Sequence, residues 1–81
     1  MSIREVLARN LRRYRALRGL SQEELAHRAD IDRTYISSLE RLQYGATIDV
    51  VERLAGVLEV PTFELLKPAE NEAQTEGYQR E

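Results

Sequence analysis

The stretch SQEELAHRADIDRTYISSLE, Ser21 to Glu40, decides the fold, because it carries two helix-start signals eleven residues apart. At Ser21 a hydroxyl can accept an orphan amide while Glu24 reaches back, the reciprocal capping box, and Leu20 before the cap stands at the staple offset from Leu25. Asp32 repeats the start, with Ile31 and Ile36 at the same offset. Helices therefore begin at Gln22 and Arg33. Between them Ala29, Asp30 and Ile31 leave room for a tight turn only, and Asp tolerates a left-handed backbone better than most non-glycine residues. Two short helices joined by a short αα turn are the expected product.

The second of these helices has two unlike faces. Ile36 and Leu39 share one, whereas Arg33, Thr34, Ser37, Ser38 and Arg41 collect on the other at helical spacing. Small side chains let a helix sink into a groove about 12 Å wide, and an arginine at its N-terminal end can fork onto guanine O6 and N7. A solvated face more often carries Glu and Lys. These residues point to a helix-turn-helix that docks on DNA, with a merely exposed amphipathic helix as the alternative for this helix alone.

Gln22, the ELA of Glu24–Ala26, Ile36, Ser37 and the LER of Leu39–Arg41 resemble the Xre or Cro/repressor-like family, over about Leu7 to Leu66. The resemblance implies an all-α, compact five-helix repressor-like DNA-binding domain, with helices 2 and 3 as the helix-turn-helix and helix 3 in the major groove. Carried onto matching positions, it has Arg33, Thr34 and Ser38 read bases, while Gln22, Ser37 and Arg41 hold the phosphate backbone. It also joins Arg15 to Glu40 in a structural ion pair. Within the family, the DRTYIS of Asp32–Ser37 is similar to small controller proteins of restriction-modification systems.

Two places depart from the family pattern. After the GluArg, where glycine and then basic residues are frequent, this chain has Leu42, Gln43 and Tyr44, with Gly45 available for a left-handed turn. Tyr44 either reaches a phosphate with its hydroxyl or packs on the surface or against a partner. Glu59 stands where a helix-ending glycine is common.

The net charge of −2 is unevenly placed. Residues 1–66 hold ten Arg and ten Asp or Glu, so the whole imbalance lies in residues 67–81. Residues 4–18 carry six arginines and one glutamate. Because exposed charges are screened beyond about 8 Å at physiological salt, this local excess matters more than the total. Arg12, nearest the two-helix unit, joins the candidate phosphate contacts; a solvated basic helix is the alternative for Arg4 and Arg9.

Leu7, Leu11 and Tyr14 make the apolar stripe of a first helix from about Ile3 to Arg18, ended by Gly19. Ile48, Val51, Leu54, Ala55 and Leu58 give a fourth helix that Thr47 can cap. Pro61 stops its continuation and can open a short fifth element through Leu66. Residues 1–66 form the expected DNA-binding domain, and residues 67–81 an acidic tail whose composition predicts flexibility. Eighty-one residues make one small core, which an oligomer would help stabilise. Val50, Val57, Val60, Phe63 and Leu66 are candidates for a homodimer interface, with ordinary core packing as the alternative for each.

No apolar run approaches the roughly 18 residues that span a membrane, and no signal-peptide core is present, so a cytoplasmic protein is expected. The chain has no cysteine. His27, Ser37 or Ser38 and carboxylates such as Asp30 lack the nucleophile turn and oriented base of a catalytic triad, and a lone His without clustered ligands does not make a zinc site. Neither an enzyme, a cofactor nor a metal is expected. The expected function is sequence-specific regulation of transcription: a homodimer on operator half-sites of double-stranded DNA, blocking or recruiting RNA polymerase. The alternative is an antitoxin or helical protein-interaction module of the same fold, with a toxin as partner.

Overall fold

A computed structural model describes residues 1–69; residues 70–81, most of the expected tail, lie outside the described residues. The elements are α1 (Ile3–Arg18), α2 (Gln22–Ala29), α3 (Arg33–Glu40) and α4 (Ile48–Leu58), followed by a 3₁₀ helix at Thr62–Leu66. Four α-helices stand where five helices were expected. The fifth element has only five residues and no side-chain cap at Pro61, so it stays a tight 3₁₀ segment that turns Leu65 inward.

Every α-helix starts on a local signal. Ser21 and Glu24 form the reciprocal box at 3.0 and 2.9 Å. Ser2 and Glu5 form a second one, at 3.2 and 2.8 Å, from the same S-x-x-E spacing. Asp32 accepts the Thr34 amide at 2.8 Å and Thr47 that of Val50 at 3.1 Å. Gly19 and Asp30 close α1 and α2 in the left-handed conformation.

The later ends differ from expectation. Beyond α3 the left-handed residue is Leu42, with φ 64°, and not Gly45. Leu42 and Gln43 donate to the carbonyls of Leu39 and Ser38 at 3.2 and 2.8 Å, so closing the helix requires that backbone there and the connection turns back at once. Gly45 lies against the Arg4 side chain instead: a Cβ on it would stand 3.0 Å from the guanidinium, and that exposed side chain can shift aside. Glu59, φ 63°, takes the left-handed C-cap of α4 without glycine.

The core is sealed by Leu11, Leu25, Ile36, Leu39, Leu54, Leu58 and Leu65, one or more from every element. Burying such a side chain is worth about 1.5–3 kcal/mol. Ile48, expected in the α4 stripe, is 81% exposed, because at the first helical position it lies on the rim and the inward face starts at Val51. Of the interface candidates, Val50, Val57, Val60 and Leu66 are half-buried against the core, whereas Phe63 is 62% exposed.

Helix α1 is the spine. Its side chains reach the C-terminal carbonyls of three other elements: Arg12 Nη1 donates to Glu40 O at 2.7 Å, Arg18 Nε to Leu58 O at 2.8 Å, and Asn10 Nδ2 to the carbonyls of Glu64, Leu65 and Lys67 at 2.9–3.2 Å. The last carbonyls of a helix have no partner within it and carry its negative dipole end, so a cation or amide there satisfies both needs. The Tyr14 hydroxyl adds a 2.9 Å bond to the Glu64 carboxylate; burial, and then that neighbour, push the phenol's pKa up.

Candidate nucleic-acid interface

Capping by Asp32 begins α3 at Arg33, and the Ile36 and Leu39 side faces the core. Arg33, Thr34 and Arg41 are consequently exposed and Ser37 is half-buried between them. Ser38 is the correction. It is 3% exposed, since the connection after α3 folds back to it through the Gln43 amide and its side chain is too short to emerge. Ser38 therefore does not share the exposed face of Arg33 and Thr34, where it was expected. Arg41 Nη2 donates to Gln43 Oε1 at 3.3 Å, a surface contact open to exchange.

Behind α3 lies a polar centre built on Glu40, itself buried. Arg15 forks onto its carboxylate, Nε to Oε2 at 2.9 Å and Nη2 to Oε1 at 3.0 Å. A third donation from Arg15, Nη1 to Leu20 O at 3.1 Å, holds the guanidinium in place. Gln22 Nε2 also donates to Glu40 Oε1, at 3.0 Å, and Arg12 to the Glu40 carbonyl. Glu40 thus ties α1, α2 and α3 together. Among the described residues no buried side-chain nitrogen or oxygen lacks a partner.

The family resemblance implied the Arg15–Glu40 pair but not the attachment of Gln22 and Arg12 to the same residue. Tyr35 was also missed. Its ring stands 6.5 Å from that of Tyr44, tilted by 54°, and its hydroxyl meets Gly45 O at 3.4 Å, so the exposed Tyr44 is steadied on α3. Period alone leaves Tyr35 between the two faces, and the pairing depends on how the connection turns. His27 is exposed, and no group of three or more His, Cys, Asp or Glu among the described residues is placed to hold a metal. No helix among them is long and apolar enough to cross a membrane.

Two short helices with a tight turn, the second showing a polar outer face over a sealed inner one, define a helix-turn-helix protein. The helix-turn-helix family HTH_3 matches residues 11–65, and the chain belongs to that family, in its Xre or Cro/repressor-like form. A hypothetical transcription factor of Neisseria meningitidis is 42% identical over 66 residues, 82% of this chain and 62% of its own. The chain thus spans less than two thirds of that relative. A crystal structure of the Neisseria factor superposes with a TM-score of 0.84 at 37% identity, covering 93% of this chain and 86% of that one. Control protein C.SmaI of Serratia marcescens is 42% identical over 82% of this chain and 79% of its own length. A crystal structure of the biofilm regulator SinR in complex with DNA matches at a TM-score of 0.71 and 35% identity, over 75% of this chain and 98% of that one.

Proposed function

We propose that the protein is a sequence-specific DNA-binding transcriptional regulator that acts as a homodimer on operator half-sites, with α3 in the major groove. The observation that carries this reading is the exposure of Arg33 and Thr34 at the start of α3 while Ile36 and Leu39 seal its other face. Arg33 reads guanine and Thr34 a neighbouring base edge. Gln22, Ser37, Arg41, Arg12 and Tyr44 hold the phosphate backbone, which fixes register without reading sequence. Residues 1–66 make the DNA-binding unit. The SinR complex with DNA and the control protein among its relatives support the same use of the fold.

Phe63, one of the interface candidates, leaves 62% of its surface in water, in keeping with assembly. In this reading two copies join through Phe63 and the half-buried Val50, Val57, Val60 and Leu66, and half-sites on one face of B-DNA then require recognition helices about 34 Å apart. The dimer acts in the cytoplasm by blocking or recruiting RNA polymerase.

Selection of bound sequences from a random duplex pool tests the reading: a two-fold symmetric site is expected, and equal affinity for selected and random duplexes refutes it. Arg33→Ala should relax preference at one base pair per half-site, costing about 1–3 kcal/mol of discrimination. Sedimentation that finds only 9.4 kDa monomer at high micromolar concentration, unchanged by DNA, would rule out the dimer.

A further inference from the structure

We propose that Glu40 is a positioning residue for DNA binding, orienting the Gln22 amide toward the phosphate backbone; this rests on the proposed role of Gln22. Gln22 is the first residue of α2, half-buried, and one N–H of its amide is committed to Glu40 Oε1 at 3.0 Å. A primary amide has two N–H bonds splayed by roughly 120°, so fixing one on a buried carboxylate turns the other away from it. The carboxylate is itself immobile, forked by Arg15 at 2.9 and 3.0 Å. Gln22 is then a fixed donor and not a long chain sampling its rotamers.

A carboxylate behind a phosphate-binding residue would by itself repel the phosphate. Here that charge is matched. Arg15 is paired with it directly, and Arg12, at 2.7 Å from the Glu40 carbonyl, adds a second cation on the same residue. The arrangement keeps the orienting hydrogen bond, strengthened by charge, without leaving a net negative field.

The test is a double-mutant cycle of Glu40→Met and Gln22→Ala on the selected duplex, at several salt concentrations and at a temperature where melting curves show every variant folded. Gln22→Ala should weaken selected and random duplexes alike and flatten the salt dependence. Freeing one rotamer-rich side chain corresponds to about three- to tenfold in affinity, so Glu40→Met, which has no oxygen to accept the amide, should cost that much with Gln22 present and less than about twofold without it. An equal cost in both backgrounds overturns the proposal, because Glu40 would then act through helix placement alone, and so does a Gln22→Ala protein that binds as wild type. Wild-type protein that binds no selected duplex overturns the DNA reading itself.

Should Glu40→Met not fold, the wild type alone decides the matter through the nuclear relaxation of the Gln22 side-chain amide in the free protein. An order parameter above about 0.6, with one amide proton shifted downfield, is expected. A freely rotating amide overturns the proposal.

Discussion

The helix pair α2–α3 and the pair formed by α4 and the 3₁₀ helix are both tied to α1, but by different chemistry. In the first, α1 sends Arg12 and Arg15 to a buried carboxylate and its own carbonyl. In the second it sends Asn10, Tyr14 and Arg18 to main-chain carbonyls and one half-buried glutamate. A buried charge that loses its partner has nothing to fall back on, whereas a neutral carbonyl forfeits less, and apart from the buried Asn10–Leu65 bond the carbonyls met here are only part-buried. The half that presents the candidate DNA surface is therefore locked, and the half that presents Phe63 is merely fastened.

Arg15→Ala gives the largest effect. Glu40 is left as an unpaired charge in the interior, and breaking such a pair costs about 3–5 kcal/mol. For a domain of this size each kcal/mol moves the melting temperature by about 4–8 °C, so a fall of more than about 12 °C, or loss of folding, is expected. An unchanged melting temperature would remove the distinction between the two halves.

Asn10→Ala is the matching change in the other half. Two N–H bonds serve three carbonyls, so one is shared, and a net loss of about 1–2 kcal/mol follows from bonds worth about 0.5–1.5 each. Amide exchange should quicken at Leu65 and Leu66 while protection in α3 holds. Equal loosening of both halves would show that α1 fastens them as one unit.

The signals that start helices are local and were legible. A serine or aspartate before an apolar period needs only the next three residues to do its work, which is why Ser21, Asp32 and Thr47 could be read from spacing, and Ser2 obeyed the same rule unread. The ends of α3, α4 and the 3₁₀ helix are another matter, because their carbonyls are met by Arg12, Arg18 and Asn10 from residues 28 to 57 positions away, and no period encodes such a partner. The candidate site divides in the same way. Exposure of Arg33 and Thr34 follows from the helix period, but burial of Ser38 depends on the path of the connection after α3.

That connection and the end of α4 offer a finer comparison, since each puts a side chain in the left-handed region, Leu42 at φ 64° and Glu59 at φ 63°. Such a residue costs about 1–2 kcal/mol, which glycine relieves at some entropic expense. Glu59→Gly removes only an exposed 3.6 Å contact with Arg18, so it should raise stability by about 0.5–1 kcal/mol. Leu42→Gly should raise it less, because Leu42 lines a cleft with Met1 and Ala8 and, at 43% exposed, has part of its apolar surface out of water. Chemical denaturation of the two variants orders them; a larger gain at Leu42 would mean that its side chain contributes nothing there.

The smallest effect concerns acid. Glu24 is fully exposed, yet the Ser21 amide that it accepts holds its carboxyl below the ordinary glutamate range. A carboxyl depressed in the folded state binds protons more weakly there than in the unfolded chain, so its stabilisation is complete above the unfolded pKa and disappears as pH falls through the folded one. Glu24→Gln can still accept the same amide but no longer titrates. Between neutral pH and about pH 3 the wild type should lose slightly more stability than this variant, and the α2 start should be the place where amide exchange first quickens. Identical acid profiles for the two proteins would mean that the cap at Ser21 holds by its hydroxyl alone, and that the locked half owes nothing to charge at its first turn.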